Sequence, residues 1–234
     1  MLAWGRFFKD EKPPAMRLSI VPANVDVVFA TMGIKYMLEI AQECRNVDIS
    51  EDDFPCCFEI RQAFDRNTLV RHDVLKKALI EADVIAPSDF TWVFDTRMFH
   101  DAGDSRQLCK HVGSNSDIVD GIVGHRRFPQ FLDSLWYAWL MINRQISKGS
   151  QVRIVMYCKS GRHRSVAAAL IAHHLFETTR GLPVPQGTVH LCSRWWAYLC
   201  PRNCPQCTQQ SDIRDAALHR AREMWKELIE RKEQ

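Results

Sequence analysis

The sequence VRIVMYCKSGRHRSVAAA, residues 152–169, determines the fold that we expect for this chain. It opens with a short apolar run rich in β-branched residues, which is typical of a buried strand. A polar turn containing Gly161 follows. Ser165, a favoured N-cap residue, then precedes an alanine- and leucine-rich run with high helix propensity. The pattern predicts a strand, a loop and a helix that begins near Ser165.

Such a loop is chemically suited to receive an anion. The first turn of a helix leaves backbone N–H groups without partners and carries the positive end of the helix dipole, which favours phosphate. Guanidinium groups match phosphate oxygens, and glycine lets the backbone approach a ligand closely. The predicted phosphate-binding residues of the loop are Lys159, Ser160, Gly161, Arg162, His163, Arg164 and Ser165. The alternative interpretation is a basic surface turn, and His163 is better suited to orient the loop than to react.

The loop resembles that of cysteine-dependent phosphatases, which carry a Cys, five residues, an Arg and then Ser or Thr. Cys158 and Arg164 match this spacing, although the histidine that usually precedes the cysteine is Tyr157 here. The resemblance implies a thiolate nucleophile at Cys158 and a phosphate-binding guanidinium at Arg164. It also requires a carboxylic acid as proton donor, for which Asp101 and Asp104 are the candidates.

The loop resembles a second family more closely, the C-terminal domain of RapZ, a bacterial RNase adaptor. That family's loop reads Cys-Thr-Gly-Gly-x-His-Arg-Ser-Val, and residues 158–166 differ from it by Lys for Thr and Ser for the first Gly. The resemblance continues at residues 94–97, 111–119, 128–132 and 189–191. It covers about residues 90–192, which is under half of the chain, and it is the leading interpretation.

The RapZ resemblance implies a regulatory module that binds a phosphorylated amino sugar or a nucleotide. RNA and further copies of the chain are its implied partners. Asp95 and Arg97, which end a predicted strand, are included in the site because parallel α/β sheets bind ligands at the carboxyl ends of their strands. The alternative is that these two side chains form a local ion pair. The chain contains no Gly-x4-Gly-Lys-Ser/Thr motif, so we expect neither the family's nucleotide-hydrolysing domain nor a nucleotide cofactor.

We predict an α/β fold with a small, mainly parallel sheet flanked by helices and a Cys-rich C-terminal extension. Three regions are expected: residues 1–88 as an N-terminal α/β extension of unassigned role, 89–192 as the phosphate-binding domain, and 193–234 as a Cys-rich segment with an amphipathic helix. The helix carries its predicted apolar stripe at Ile213, Ala217, Ala221, Met224 and Leu228. Residues 89–200 hold 13 basic and 8 acidic side chains, a net +5, which favours a phosphate-bearing partner.

The cysteines suggest a metal site. Nine are present, an odd number that favours free thiols or metal ligation over a disulfide framework. Four follow the closing strand with the spacing Cys-x7-Cys-x3-Cys-x2-Cys, which predicts a structural zinc site, with packed reduced thiols as the alternative. The predicted ligands are Cys192, Cys200, Cys204 and Cys207.

Neither a secretory signal nor a long uncharged apolar run is visible in the sequence. We therefore expect a cytoplasmic protein without a membrane partner. A third functional hypothesis is an interaction protein that is stabilised by zinc and whose loop binds nothing.

Overall fold

The structure is a computed structural model that describes residues 27–34, 80, 90–146, 152–179, 187–192, 200, 204–208 and 211–234. Most of the predicted N-terminal extension lies outside these residues. In the described part, four parallel strands form one sheet in the order β2-β3-β1-β4. Their bounds are Val27–Gly33 for β1, Phe90–Asp95 for β2, Val152–Cys158 for β3 and Gly187–His190 for β4. The predicted α/β class with a parallel sheet is confirmed.

Five α-helices and three short 3-10 helices accompany the described strands. The α-helices are α1 (Ser116–Val123), α2 (Phe128–Ile146), α3 (Arg164–Thr178), α4 (Pro205–Thr208) and α5 (Asp212–Glu233). The 3-10 helices are Thr96–Met98, Ala102–Asp104 and Leu108–Lys110. Asn115 and Ser211 cap α1 and α5, because their side chains accept hydrogen bonds from the amides of the first turn. Within the described residues, none of these helices has the length and apolarity needed to cross a bilayer.

Helix α3 begins two residues earlier than the N-cap prediction placed it. Its first residue is Arg164, and the preceding His163 makes no side-chain capping bond. Ser165 therefore lies in the first turn, where its Oγ atom faces the Cys158 Sγ atom at 3.4 Å. The hydroxyl group contacts the loop cysteine instead of capping the helix.

The main apolar core lies between one face of the sheet and the helices. Alternate strand residues point into it, as the two-residue period of a strand requires. Helix α2 packs on β2 and β3, with ring centroids of Phe94 and Phe131 5.8 Å apart. Helix α3 packs on β1, β3 and β4, with Phe29 and Phe176 5.6 Å apart. These two contacts fix the helices that precede and follow β3.

The C-terminal helix α5 joins the same core. It packs against α1, α2 and α3. Ala217, Ala221 and Leu228 of the predicted stripe are buried, whereas Ile213 is 51% exposed. Trp225, which the stripe omitted, is fully buried and contributes the largest side chain of the helix to the core.

The strand order places the carboxyl ends of β3 and β1 side by side in the middle of the described sheet. Parallel α/β sheets bind their ligands beyond the carboxyl ends of the strands. Gly33 at the end of β1 pairs with Cys158 at the end of β3. The β3–α3 loop therefore lies at this point.

Candidate functional site

Two glycines let the β3–α3 loop cross the end of β1 in close contact. A Cβ atom on Gly33 would lie 2.5 Å from the carbonyl carbon of Ser160, and one on Gly161 would lie 2.6 Å from the Gly33 nitrogen. Gly161 also has φ +67°, in the left-handed region that disfavours side chains. Of the two, only Gly161 was predicted from the sequence to belong to the site.

A continuous row of unpaired backbone amides lines the loop. Among the hydrogen bonds of the described residues, none is donated by the N–H groups of residues 159–166. The first backbone bond at this end of α3 runs from Ala167 N to His163 O, at 2.9 Å. A helix start by itself leaves about four N–H groups unpaired, and here the preceding loop extends the row. Lys159 and Ser160 are exposed, so the row begins at the surface.

Arg164 is almost fully buried beneath this loop, with 2% of its surface exposed. Its Nη2 atom donates to Asp101 Oδ2 at 2.6 Å, and its Nη1 atom donates to Phe99 O at 3.3 Å. The Nε–H group is also buried but has no partner among the described residues. Since an unsatisfied buried donor costs about 1–3 kcal/mol, this position favours an acceptor supplied by a ligand.

Asp101 holds two loop residues from the rim of the site. Besides Arg164 it contacts His163, with 3.3 Å between Asp101 Oδ1 and His163 Nδ1, and it accepts a hydrogen bond from Gly103 N at 2.9 Å. Burial acts to raise the pKa of Asp101, but the His163 hydrogen bond and the Arg164 charge outweigh it and hold that pKa well below its usual range. Asp101 is therefore a carboxylate at neutral pH, which does not suit the proton donor of the phosphatase hypothesis. Its anchoring role was missed in the sequence, although Asp-x-Gly is typical of an Asx turn.

The lowered pKa of Asp101 predicts a pH-dependent contribution to stability. Its carboxylate stabilises the folded protein above the unfolded pKa of about 3.8, and this contribution is lost as pH falls toward the lower folded pKa. We expect Asp101→Asn to lower the free energy of unfolding at pH 7, and the difference from wild type to shrink below about pH 4. Urea unfolding of wild type and variant at pH 7 and below about pH 4 measures these differences in the free energy of unfolding. The exposed Asp104→Asn serves as control, and an Asp101→Asn deficit that persists unchanged at low pH would contradict the assignment.

The structure places Asp95 and Arg97 in a buried ion pair. Arg97 Nε and Nη2 donate to the Asp95 carboxylate at 3.0 and 2.7 Å, and the guanidinium lies 5.4 Å from the Tyr157 ring centroid. Burial acts to lower the pKa of Arg97, but the bond to Asp95 and its charge raise it, so the guanidinium stays charged. Tyr157 OH donates to the same carboxylate at 2.8 Å. The pair thus supports the end of β2. The main-chain carbonyl oxygen of Arg97 accepts a hydrogen bond from Arg164 Nη1 at 3.5 Å.

His163 lies at the junction between the loop and the segment that begins at His111. Its Nε2 atom is 2.9 Å from Arg162 Nε and 3.0 Å from His111 O. An Nε2 atom that carries hydrogen donates to His111 O, whereas one without hydrogen accepts from Arg162, so the two contacts belong to different tautomers of the ring. The side chain is 2% exposed. His163 thus joins the loop to the segment that begins at His111.

A second cluster of reactive groups lies beside this junction. Cys200, Cys204, Cys207 and His111 each offer one ligand atom, and these atoms all lie within 4.8 Å of one another. His111 Nδ1 is 3.6 Å from Cys204 Sγ and 3.5 Å from Cys207 Sγ. Burial and the neighbouring thiols raise the pKa of Cys200 to about 12, so without a cation this thiol stays protonated at neutral pH. This cluster could hold a metal ion.

The fourth member of the cluster differs from the predicted one. Cys192 was predicted as a ligand, but its Sγ atom accepts a hydrogen bond from Gly33 N at 3.1 Å. A Cβ atom on Gly161 would lie 2.7 Å from the same sulfur, so Cys192 packs against the β3–α3 loop. His111 takes the fourth position because the loop before α1 reaches the C-terminal segment. No spacing motif joins His111 to the cysteines, because it lies far before them in the sequence.

The fold and the loop define an α/β domain with a strand–loop–helix element that can receive an anion. Residues 83–186, just under half of the chain, match the family model of the RapZ C-terminal domain. This match confirms the resemblance of the segment to the RapZ C-terminal domain family. Comparisons with curated proteins and with solved structures found no match.

Proposed function

We propose that residues 158–166 bind the phosphate group of a phosphorylated small molecule, either an amino-sugar phosphate or a nucleotide, and that this binding serves a regulatory role. The observation that carries the proposal is the row of unpaired amides at residues 159–166. The partnerless Nε–H group of Arg164 supports it independently, because it is a buried charged donor that a phosphate oxygen would satisfy. The site also lies at the carboxyl ends of the two central strands of the described sheet, where parallel α/β sheets bind ligands.

Charge near the loop supports a phosphate over a neutral ligand. Lys159 is exposed beside the first unpaired amides, and Arg162 is half-buried. Asp101 offsets the charge of Arg164 but leaves these two cations to attract an anion. A phosphate dianion would therefore meet backbone donors and positive charge together, as at other helix N-termini that bind phosphate.

The direct test is a thermal-shift screen followed by calorimetry. Inorganic phosphate, amino-sugar phosphates and nucleotides are compared with their unphosphorylated counterparts. A ligand that binds only the folded state raises its stability by about 2.7 kcal/mol at a concentration 100 times its Kd. We expect stabilisation by the phosphorylated compounds alone. Equal stabilisation by the phosphorylated and the unphosphorylated compounds, or stabilisation by neither set, would overturn the proposal.

Arg164→Ala is expected to weaken binding of the best phosphorylated ligand by roughly 10- to 100-fold, because a charge-assisted hydrogen bond contributes about 1.5–3 kcal/mol. The matched control is Arg231→Ala, which removes one positive charge from an exposed position near the end of α5. Calorimetric Kd values for both variants, measured at one salt concentration, make the comparison. A similar loss in both variants would point to nonspecific attraction and contradict the assigned role of Arg164.

Cysteine-dependent phosphatase activity is the alternative function, and one contact favours it. The Cys158 Sγ atom lies 3.4 Å from Ser165 Oγ, whose hydroxyl could stabilise a thiolate by donating to it. Against it stand the 1% exposure of Cys158 and the ionised state of Asp101. A generic phosphatase assay on wild type and Cys158→Ser separates the two functions. Turnover that is lost in the variant favours the phosphatase, whereas a binding module retains its ligand response in Cys158→Ser and shows no turnover.

We also propose Zn²⁺ as the ion of the cysteine cluster. Tetrahedral zinc, with Zn–S about 2.3 Å and Zn–N about 2.0 Å, separates two sulfurs by roughly 3.8 Å and a sulfur from a nitrogen by roughly 3.5 Å. The corresponding distances here are 3.5 Å between Cys200 and Cys207, and 3.5 and 3.6 Å from His111 to Cys207 and Cys204. The donor set of three thiols and one imidazole is also one that structural zinc uses.

RNA and self-association complete the proposal as features implied by the family. In the basic run His125-Arg126-Arg127, His125 is buried and accepts a hydrogen bond from Arg127 N, so the exposed side chain of this run is Arg126. RNA binding is tested by mobility shift with and without the best phosphorylated ligand, and oligomeric state by sedimentation. If the module links ligand to RNA, the ligand changes the RNA affinity.

A further inference from the structure

Residues 111–113 connect the cysteine cluster to the phosphate loop. The imidazole of His111 lies among the thiols, while its carbonyl oxygen is 3.0 Å from His163 Nε2. Two residues later, Gly113 N donates to Arg162 O at 2.9 Å. This short segment therefore contributes His111 to the cluster and also contacts two loop residues, His163 and Arg162.

The contact between this segment and the loop is tight. Val112 is 8% exposed and packs with Cys200 and Cys207. A Cβ atom on Gly113 would lie 2.1 Å from His163 O and 2.6 Å from Ala167 N. Because the backbone of Gly113 rests directly on the start of α3, a shift of this segment must displace the residues that end the phosphate loop.

We infer that one Zn²⁺ ion bound by His111, Cys200, Cys204 and Cys207 fixes residues 111–113 and thereby the phosphate loop, so that zinc occupancy controls the affinity for the anion. This inference rests on the proposed phosphate site. Ligation joins the loop before α1 to the C-terminal segment, and it removes chain conformations in which the two separate. Without the ion, the segment keeps its packing on the start of α3 and the hydrogen bond from Gly113 N to Arg162 O, which contributes only about 1 kcal/mol.

The ligand set is tested by the zinc content of the purified full chain. We expect one Zn²⁺ per chain in wild type and its loss in His111→Ala and in Cys207→Ser. Cys109→Ser is the matched control, since Cys109 lies two residues before His111, is half-exposed and bonds to Arg106 O outside the cluster. Cys192→Ser should keep its zinc as well. Zinc retained in His111→Ala would overturn the assignment of the fourth ligand.

The coupling is tested with inorganic phosphate as the probe. Removing zinc with a chelator is expected to weaken phosphate binding by roughly 5- to 150-fold, the usual range of coupling between sites. Linkage requires that phosphate tighten zinc binding by the same factor, which competition with a chromogenic chelator measures in the zinc-loaded protein. Chelator controls without protein correct for zinc bound by phosphate itself. Equal phosphate affinities with and without zinc would overturn the inference.

Hydrogen exchange separates failure of this inference from failure of the phosphate site. On zinc removal we expect faster exchange in peptides covering residues 158–166, with little change in peptides from β1 and the middle of α2. If zinc-loaded wild type binds no phosphate, the proposed function fails, while the exchange result still decides whether the metal supports the loop. An exchange rate in residues 158–166 that does not change on zinc removal would overturn the inference. Uniform unfolding of the whole chain would also overturn it, because the metal would then be required for folding in general.

Discussion

Gly161→Ala is expected to destabilise the folded protein by about 2–5 kcal/mol and to abolish phosphate binding. The left-handed φ of +67° costs a residue with a side chain about 1–2 kcal/mol. The new methyl group would also lie 2.6 Å from Gly33 N and 2.7 Å from both Met32 C and Cys192 Sγ. Two of these three atoms are backbone, which cannot rotate away, and such overpacking costs about 1–3 kcal/mol more.

Urea unfolding of wild type and Gly161→Ala, followed by phosphate calorimetry, measures both effects. The control is Gly121→Ala on α1, where a Cβ atom would meet nothing within 4 Å. That change should stabilise the protein by about 0.5–1 kcal/mol, because alanine loses less backbone entropy than glycine in a helix. A Gly161→Ala protein of wild-type stability that still binds phosphate would show that the loop does not need its close approach to β1.

Trp225→Ala is expected to cost about 3–5 kcal/mol, which is the usual loss when a large aromatic side chain leaves a core. Trp225 is fully buried in the core cluster that also contains the sheet residues, and its ring centroid lies 6.3 Å from that of Trp136. Because α5 shares the core with α2 and α3, we expect the variant to lower the unfolding midpoint of the whole domain in one cooperative transition.

The neighbouring Lys226→Ala supplies the control for Trp225. Its side chain forms an exposed ion pair with Glu223, so its loss should change stability by less than about 1 kcal/mol. Trp225→Phe should recover much of the alanine deficit, since it restores an aromatic ring and removes an indole N–H that has no partner among the described residues. Melting of α5 alone, with an unchanged transition of the sheet, would contradict a shared core.

The elements next to the loop could be predicted from the sequence because their signals are local. An apolar run of strand length ends at Cys158, and a helix-forming run follows Ser165, so the strand and the helix were expected where β3 and α3 lie. The unpaired amides follow from the same local pattern, since any helix start exposes its first N–H groups. The start of α5 is local in the same way, because the Ser211 side chain accepts a hydrogen bond from Arg214 N in the first turn of the helix.

The contacts around the loop were decided by the tertiary structure. Asp101 meets Arg164, and His111 meets the three cysteines, only because the sheet order brings the ends of β1, β2 and β3 together. The structure places Arg97 in the local ion pair with Asp95 that the sequence left open as an alternative.

By itself, the sequence determined the strand–loop–helix element, the α/β class and the residue types of the β3–α3 loop. Only the tertiary structure decided which side chains hold that loop in place and which group joins the cysteines. The physical reason is that backbone conformation depends on neighbouring residues, whereas a site assembled from distant segments depends on strand order and packing.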